Sequence, residues 1–168
     1  MRAKLIMVES QEFKGENMDT FLDNLVGRWN LRGKMDNKTL FQNVVGRWVL
    51  NGLFLELRFK ASYVGKEGNP PYEAIYLIGR DDKTGDYVLN LFDTFGVTSR
   101  PVPGIGKLES NSIRFVFGYD TNLFTNAFTW HARQHSWTML LTSRKKGKTK
   151  VFAKKVMTHS QKAKNPDN

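Results

Sequence analysis

Leu53-Phe54-Leu55-Glu56-Leu57-Arg58-Phe59-Lys60-Ala61-Ser62-Tyr63 is the stretch on which the fold turns. Leu53, Leu55, Leu57, Phe59, Ala61 and Tyr63 fall on one parity, and Phe54, Glu56, Arg58, Lys60 and Ser62 on the other. Successive side chains of a strand point to opposite faces, so this segment predicts a strand with one dry and one wet side. A sheet with one solvated face is typically antiparallel.

Outward from it, turn signals recur at 65–71, 81–85, 101–106, 120–122 and 145–148. Gly104-Ile105-Gly106 follows two prolines and reads as part of such a turn. Between these lie strand-length runs rich in aromatic and β-branched residues: Tyr72–Arg80, Asp86–Phe95, Ser112–Tyr119, Phe124–Arg133, Ser136–Ser143 and Thr149–Thr158. Arg28–Met35 and Phe41–Leu50 precede them, which predicts about eight to ten strands. Short linkers imply hairpins, and so long a sheet closes on itself to remove its edges. The expected fold is all-β: one closed or nearly closed antiparallel barrel of 16–159, after a loose arm (1–15) and before a polar tail (160–168). A short helix over Glu16–Val26, capped by Asn17 or Asp19, presents Phe21, Leu22 and Leu25 to the barrel. Asn24-Leu25-Val26-Gly27-Arg28-Trp29 nearly repeats as Asn43-Val44-Val45-Gly46-Arg47-Trp48, which suggests two strands with similar packing tasks.

Composition narrows the function classes. With no cysteine among 168 residues, disulfides, thiolate metal sites and a cysteine nucleophile are excluded, and a reducing cytoplasm fits. The apolar run at Leu5–Val8 is too short for a signal-peptide core of roughly 7–15 residues. The net charge of +10 is one-sided. Thr121–Pro166 holds ten basic residues and no acid, and the rest of the chain balances. That segment is expected to form an electropositive face around the Arg144–Lys150 turn, open to non-specific polyanion contact, with nucleic acid or an anionic membrane as partner. Aromatics and polar residues alternate along the strands, which argues against an exposed stacking platform.

A helix followed by Gly27-x-Trp29 at the first strand, then hairpins, resembles the lipocalin and fatty-acid-binding arrangement. The resemblance implies that Trp29 closes the barrel floor and that a basic residue of the last strand, Lys154 or Lys155, packs on it. The chain is also similar, over roughly residues 20–158, to a bacterial family known as domain of unknown function 1579. Gly46-Arg47, Leu50-x-Gly52-x-Phe54-Leu55, Gly79-x-Asp81 and Asp86-Tyr87-Val88 running to Asp93-x-x-Gly96 carry that likeness. Arg80 stands where the family has an aromatic residue, and the basic C-terminal part is unlike it. The family implies a lipocalin-like (calycin-type) barrel and no activity.

The expected ligand-lining set is Tyr63, Asp93, Phe115, Phe117, Phe128, Trp130, Trp137, Met139 and Lys154, around a pocket near Trp130, Trp137 and Met139. Adjacent Lys154 and Lys155 cannot both face water from a regular half-buried strand. The bulk of Phe152 and Val156 favours Lys154 as the inward one, paired with Asp93, packed on Trp29, or holding a ligand's carboxylate. His131 and His135 flank a turn and make no metal pair. His159, just after the last strand, is placed like the proximal haem ligand of nitrobindins. No nucleophile elbow or phosphate loop names a reaction, so no catalytic residue is assigned. The leading reading is a binding module for a small hydrophobic ligand, acidic or not, without a cofactor. A haem-binding barrel is the alternative. A basic surface protein and a cofactor-free enzyme using Asp93 and a lysine stand behind them.

Overall fold

Every one of those strand-length runs enters a single antiparallel sheet. The structure is a computed structural model that describes residues 19–36, 38–62, 71–96, 102–119 and 122–160. In chain order its elements are α1 (Thr20–Asp23), β1 (Gly27–Met35), β2 (Lys38–Val49), β3 (Phe54–Ala61), β4 (Glu73–Arg80) and β5 (Tyr87–Asp93). After these come β6 (Gly104–Gly106), β7 (Leu108–Glu109), β8 (Ser112–Tyr119), β9 (Asn122–His131), a 3-10 turn (Ala132–Gln134), β10 (Ser136–Lys145) and β11 (Lys148–His159). The strands run β6-β5-β4-β3-β2-β1-β11-β10-β9-β8-β7, and β6 also pairs with β8 through Ile105 and Val116. That second pairing closes a ten-stranded barrel, with β7 attached to β8 alone. No helix among the described residues is long and apolar enough to cross a membrane.

Gly104-Ile105-Gly106, expected as a turn, is therefore the closing strand. Ring carbons of Phe117 stand 2.6–2.9 Å from where a Cβ on Gly104 would be, so only a glycine backbone packs that close. The predicted alternation over 53–63 holds from Leu55 to Ala61, all inward and buried. Leu53 instead lies exposed in the turn before β3. Tyr63 is outside the described residues.

The barrel floor is built by α1 and by indoles. The helix is shorter than expected, and Asp19 caps it by accepting from the Phe21 and Leu22 amides at 3.0 Å. Leu22 and Leu25 drop into the barrel. Three tryptophans then tie the segment down. Trp29 Nε1 donates to the Leu25 carbonyl (3.0 Å), Trp137 Nε1 to the Asn24 carbonyl (3.0 Å), and Trp48 Nε1 to Asp23 Oδ1 (2.8 Å). The near-repeat has a geometric reason: Gly27 and Gly46 are direct partners across β1 and β2. A Cβ on Gly46 would lie 2.0 Å from the Leu25 carbonyl oxygen, so the glycine lets the helix exit rest on the strand.

Along β11 the register slips: Leu141 faces Ala153 but Thr142 faces Val151. Phe152 is the bulged residue. It turns toward Phe124, with ring centroids 5.5 Å apart, while Ala153, Lys155 and Met157 point inward. The inward lysine is thus Lys155, and Lys154 is exposed, which reverses the expectation. The bulk of Phe152 was a misleading cue, because a bulge breaks the parity by which it shared a face with Lys154.

Candidate functional site: the upper interior of the barrel

The two barrel ends differ. At the lower end α1, Trp29 and Trp137 make an apolar floor. At the upper end lie the strand ends Met35, Lys38, Ala61, Glu73, Asp93, Gly104, Asn122, Lys145 and Lys148, with Tyr72, Phe124 and Phe152 near them. Between floor and rim, polar side chains enter an otherwise apolar wall.

Strand register sets them on three successive rows of the inner face. One row carries Asn126, Leu141 and Ala153. The next carries Phe128, Met139, Lys155, Gly33 and Leu40, and the third Trp130, Trp137, Met157, Leu31 and Gln42. Gln42 and Lys155 are each 2% exposed, and Asn126 is fully buried. Neither amide atom of Gln42 or of Asn126 has a hydrogen-bond partner among the described residues. Natural proteins leave few such groups bare, and each costs about 1–3 kcal/mol unless water or a ligand satisfies it.

Lys155 is the strongest of the three. Its stem runs over Gly33, where a Cβ would sit 3.0 Å from the Lys155 Cγ. Among the described residues no carboxylate comes within ion-pair distance of its ammonium. Burial alone pulls its pKa from 10.5 down to about 8, so it still carries charge at neutral pH. A buried cation without a counter-charge favours an anion brought in from outside.

Tyr76, buried beside Phe59 (4.6 Å) and Phe128 (6.4 Å), places its hydroxyl next to the Asn126 amide. Burial first, then Tyr72 and Asp93, hold its pKa well above the ordinary phenol value, so it remains a neutral donor. At the rim Tyr72 is held protonated by burial, then by the charge of Asp93 and the hydrogen bond its hydroxyl gives that carboxylate. Asp93 Oδ1 also accepts from the Phe95 amide at 2.9 Å. Asp93 is therefore engaged with Tyr72 and backbone, and with no lysine of the described residues.

The remaining expected residues divide by level. Phe115, Phe117, Phe128 and Met139 are buried on the inner wall, Phe115 edge-on to Phe128 at 6.0 Å. Trp137 packs under Phe21 at 5.2 Å as part of the floor. Trp130 is half-buried near it, 5.1 Å from Trp137 and 6.4 Å from Trp29. His159 lies at the floor end too, exposed, its ring stacked 3.8 Å from Trp29. It occupies the position that the resemblance gave to a lysine of the last strand. His131 Nε2 pairs with Thr138 Oγ1 at 2.8 Å. No cluster of three histidine or acidic side chains suited to a metal occurs among the described residues.

Gln42, Asn126, Tyr72 and Tyr76 escaped the sequence reading, although a signal was present. Gln42 shares the parity of Leu40 and Val44, and Asn126 that of Phe124 and Phe128. A polar residue in phase with an apolar face marks a buried polar site. No protein-family model matches the chain, and no curated protein is significantly similar to it.

Proposed function

We propose that this protein is a binding barrel whose upper interior takes a small amphipathic molecule with an acidic head. The observation that carries the reading is a set of buried polar side chains on three adjacent rows of the inner wall: Lys155, with no carboxylate within ion-pair distance among the described residues, and Gln42 and Asn126, whose amide atoms lack hydrogen-bond partners there. Lys155 supplies the charge, and the two amides and the Tyr76 hydroxyl supply direction. Phe115, Phe128 and Met139 offer an apolar wall for the body of the ligand. Such a division, mostly apolar lining with a few convergent polar groups, is the usual make-up of a small-molecule site. Membership of a lipocalin-like family, as the likeness over residues 20–158 implies, agrees with this reading.

The test compares a medium-chain fatty acid with the alcohol of the same length as competitors of an environment-sensitive dye. Near neutral pH the acid should compete better. Its advantage should fade as pH rises through about 8, where Lys155 loses its proton. Lys155→Met should keep alcohol binding and lose the preference for the acid. Equal competition by acid and alcohol at neutral pH would refute the assignment.

A further inference from the structure

On the outside of the same wall, opposite Lys155, the side chains of β11, β1 and β2 form a second chemistry. Arg28, Arg32, Lys34 and Lys154 are exposed, and none is within ion-pair distance of a carboxylate among the described residues. The cations along the β2–β3 seam differ: Arg47 and Arg58 share Glu56, and Lys60 pairs with Glu73. Lys34 and Lys154 are direct partners across β1 and β11, an arrangement of like charges that destabilises a sheet until an anion bridges it. They line a groove of about 410 Å³ with Lys150, whose ammonium is satisfied by Asp36 at 2.8 Å. On the next row Phe41 is 45% exposed, with the Arg32 guanidinium 5.5 Å over its ring.

We propose that this face binds single-stranded nucleic acid, the groove taking backbone phosphates and Phe41 with Arg32 stacking a base. Residues two apart on one strand face are about 6.6–6.8 Å apart, so Arg32 and Lys34 present charge at regular steps. An aromatic ring among unpaired cations is the combination by which sheets hold single strands, through stacking and phosphate neutralisation. The face is the convex outside of a closed barrel. A duplex, stiff over a persistence length of about 50 nm, touches such a surface only at a tangent, whereas a single strand follows it. The polyanion contact expected on residues 121–166 is thereby extended: β1 adds Arg28, Arg32 and Lys34 beside Lys154 of β11, and β2 adds the stacking ring.

Fluorescence anisotropy with a labelled oligothymidine, a hairpin duplex of similar length and phosphatidylglycerol vesicles tests this on the full chain. The single strand should bind more tightly than the duplex, with log K falling against log salt by about 0.7 for each phosphate contacted. Phe41→Ala should weaken single-strand binding about tenfold and leave duplex binding alone. The pair Lys34→Gln and Lys154→Gln should flatten the salt slope by about 0.7 each. These side chains are exposed, so thermal melts should confirm intact folding. Lys155→Met should bind the oligonucleotide like the unaltered protein, which separates this face from the interior site. Equal affinity for duplex and single strand, insensitivity to Phe41→Ala, or binding confined to the vesicles would each overturn the proposal.

Discussion

With its ammonium inside the wall and no acid of the described residues within ion-pair distance, Lys155 holds its proton less firmly than a lysine of the unfolded chain. Its folded pKa is about 8, against 10.5 unfolded. Between those values the unfolded state binds more protons, so the unliganded protein should gain stability as pH rises from about 8 toward 10, by up to roughly 3 kcal/mol. Above about pH 10 the sign reverses. Tyr72, Tyr76 and Tyr87 are held protonated in the fold, chiefly by burial, while unfolded tyrosines ionise. Urea unfolding at a series of pH values should show this maximum, and Lys155→Met should remove the rising limb while leaving the fall. The parity of β11 made an inward lysine legible from the chain. Which of the two it is depended on the bulge at Phe152, a backbone event that a pattern of residue types does not encode.

Among the elements, α1 has only four residues and cannot stand by propensity alone. It is held by the indole donors of Trp29, Trp48 and Trp137, from three different strands. Trp137→Phe keeps most of the ring but removes the bond to the half-buried Asn24 carbonyl, and should cost about 1–3 kcal/mol in chemical denaturation. Gly46→Ala should be worse. Its methyl would meet the Leu25 carbonyl at 2.0 Å, and since both are backbone, neither yields without moving the helix exit off the strand. A melt of Gly46→Ala within a degree of the unaltered protein would contradict that packing. The near-repeat announced two similar strands. That its glycines face one another under the helix follows from the antiparallel register, which no local pattern contains.

Across the whole molecule the barrel is unevenly sewn. The β10–β11 and β1–β2 ladders run over nine or more residue pairs. The closing strand β6 has three residues and meets β8 at one pair. Local opening draws on the least supported segment. Hydrogen exchange should therefore be fastest at residues 104–106 and the facing part of β8, and slowest in β1, β10 and β11. Uniform protection around the barrel would show closure to be as strong at that seam as elsewhere. Gly104→Ala, which drives a methyl to 2.6 Å from the Phe117 ring, should accelerate exchange at the seam before it lowers global stability.

Period-two alternation was enough to specify an all-β chain, the approximate spans of nine strands and which face of β3 is buried, because side-chain direction in a strand depends only on parity. Local chemistry narrowed the helix cap to Asn17 or Asp19, of which Asp19 caps, and the place of Trp29 in the floor was an expectation from the lipocalin resemblance. Closure through Gly104–Gly106, the stacking of His159 on Trp29 and the exchange of Lys154 for Lys155 required the folded chain. So did the placement of Asn126, Lys155 and Gln42, far apart in the chain, on three successive inner rows, which follows from the register of β9, β10, β11, β1 and β2. Register, bulges and ring closure are set by the fit of distant segments to one another, and that fit is a property of the packed barrel.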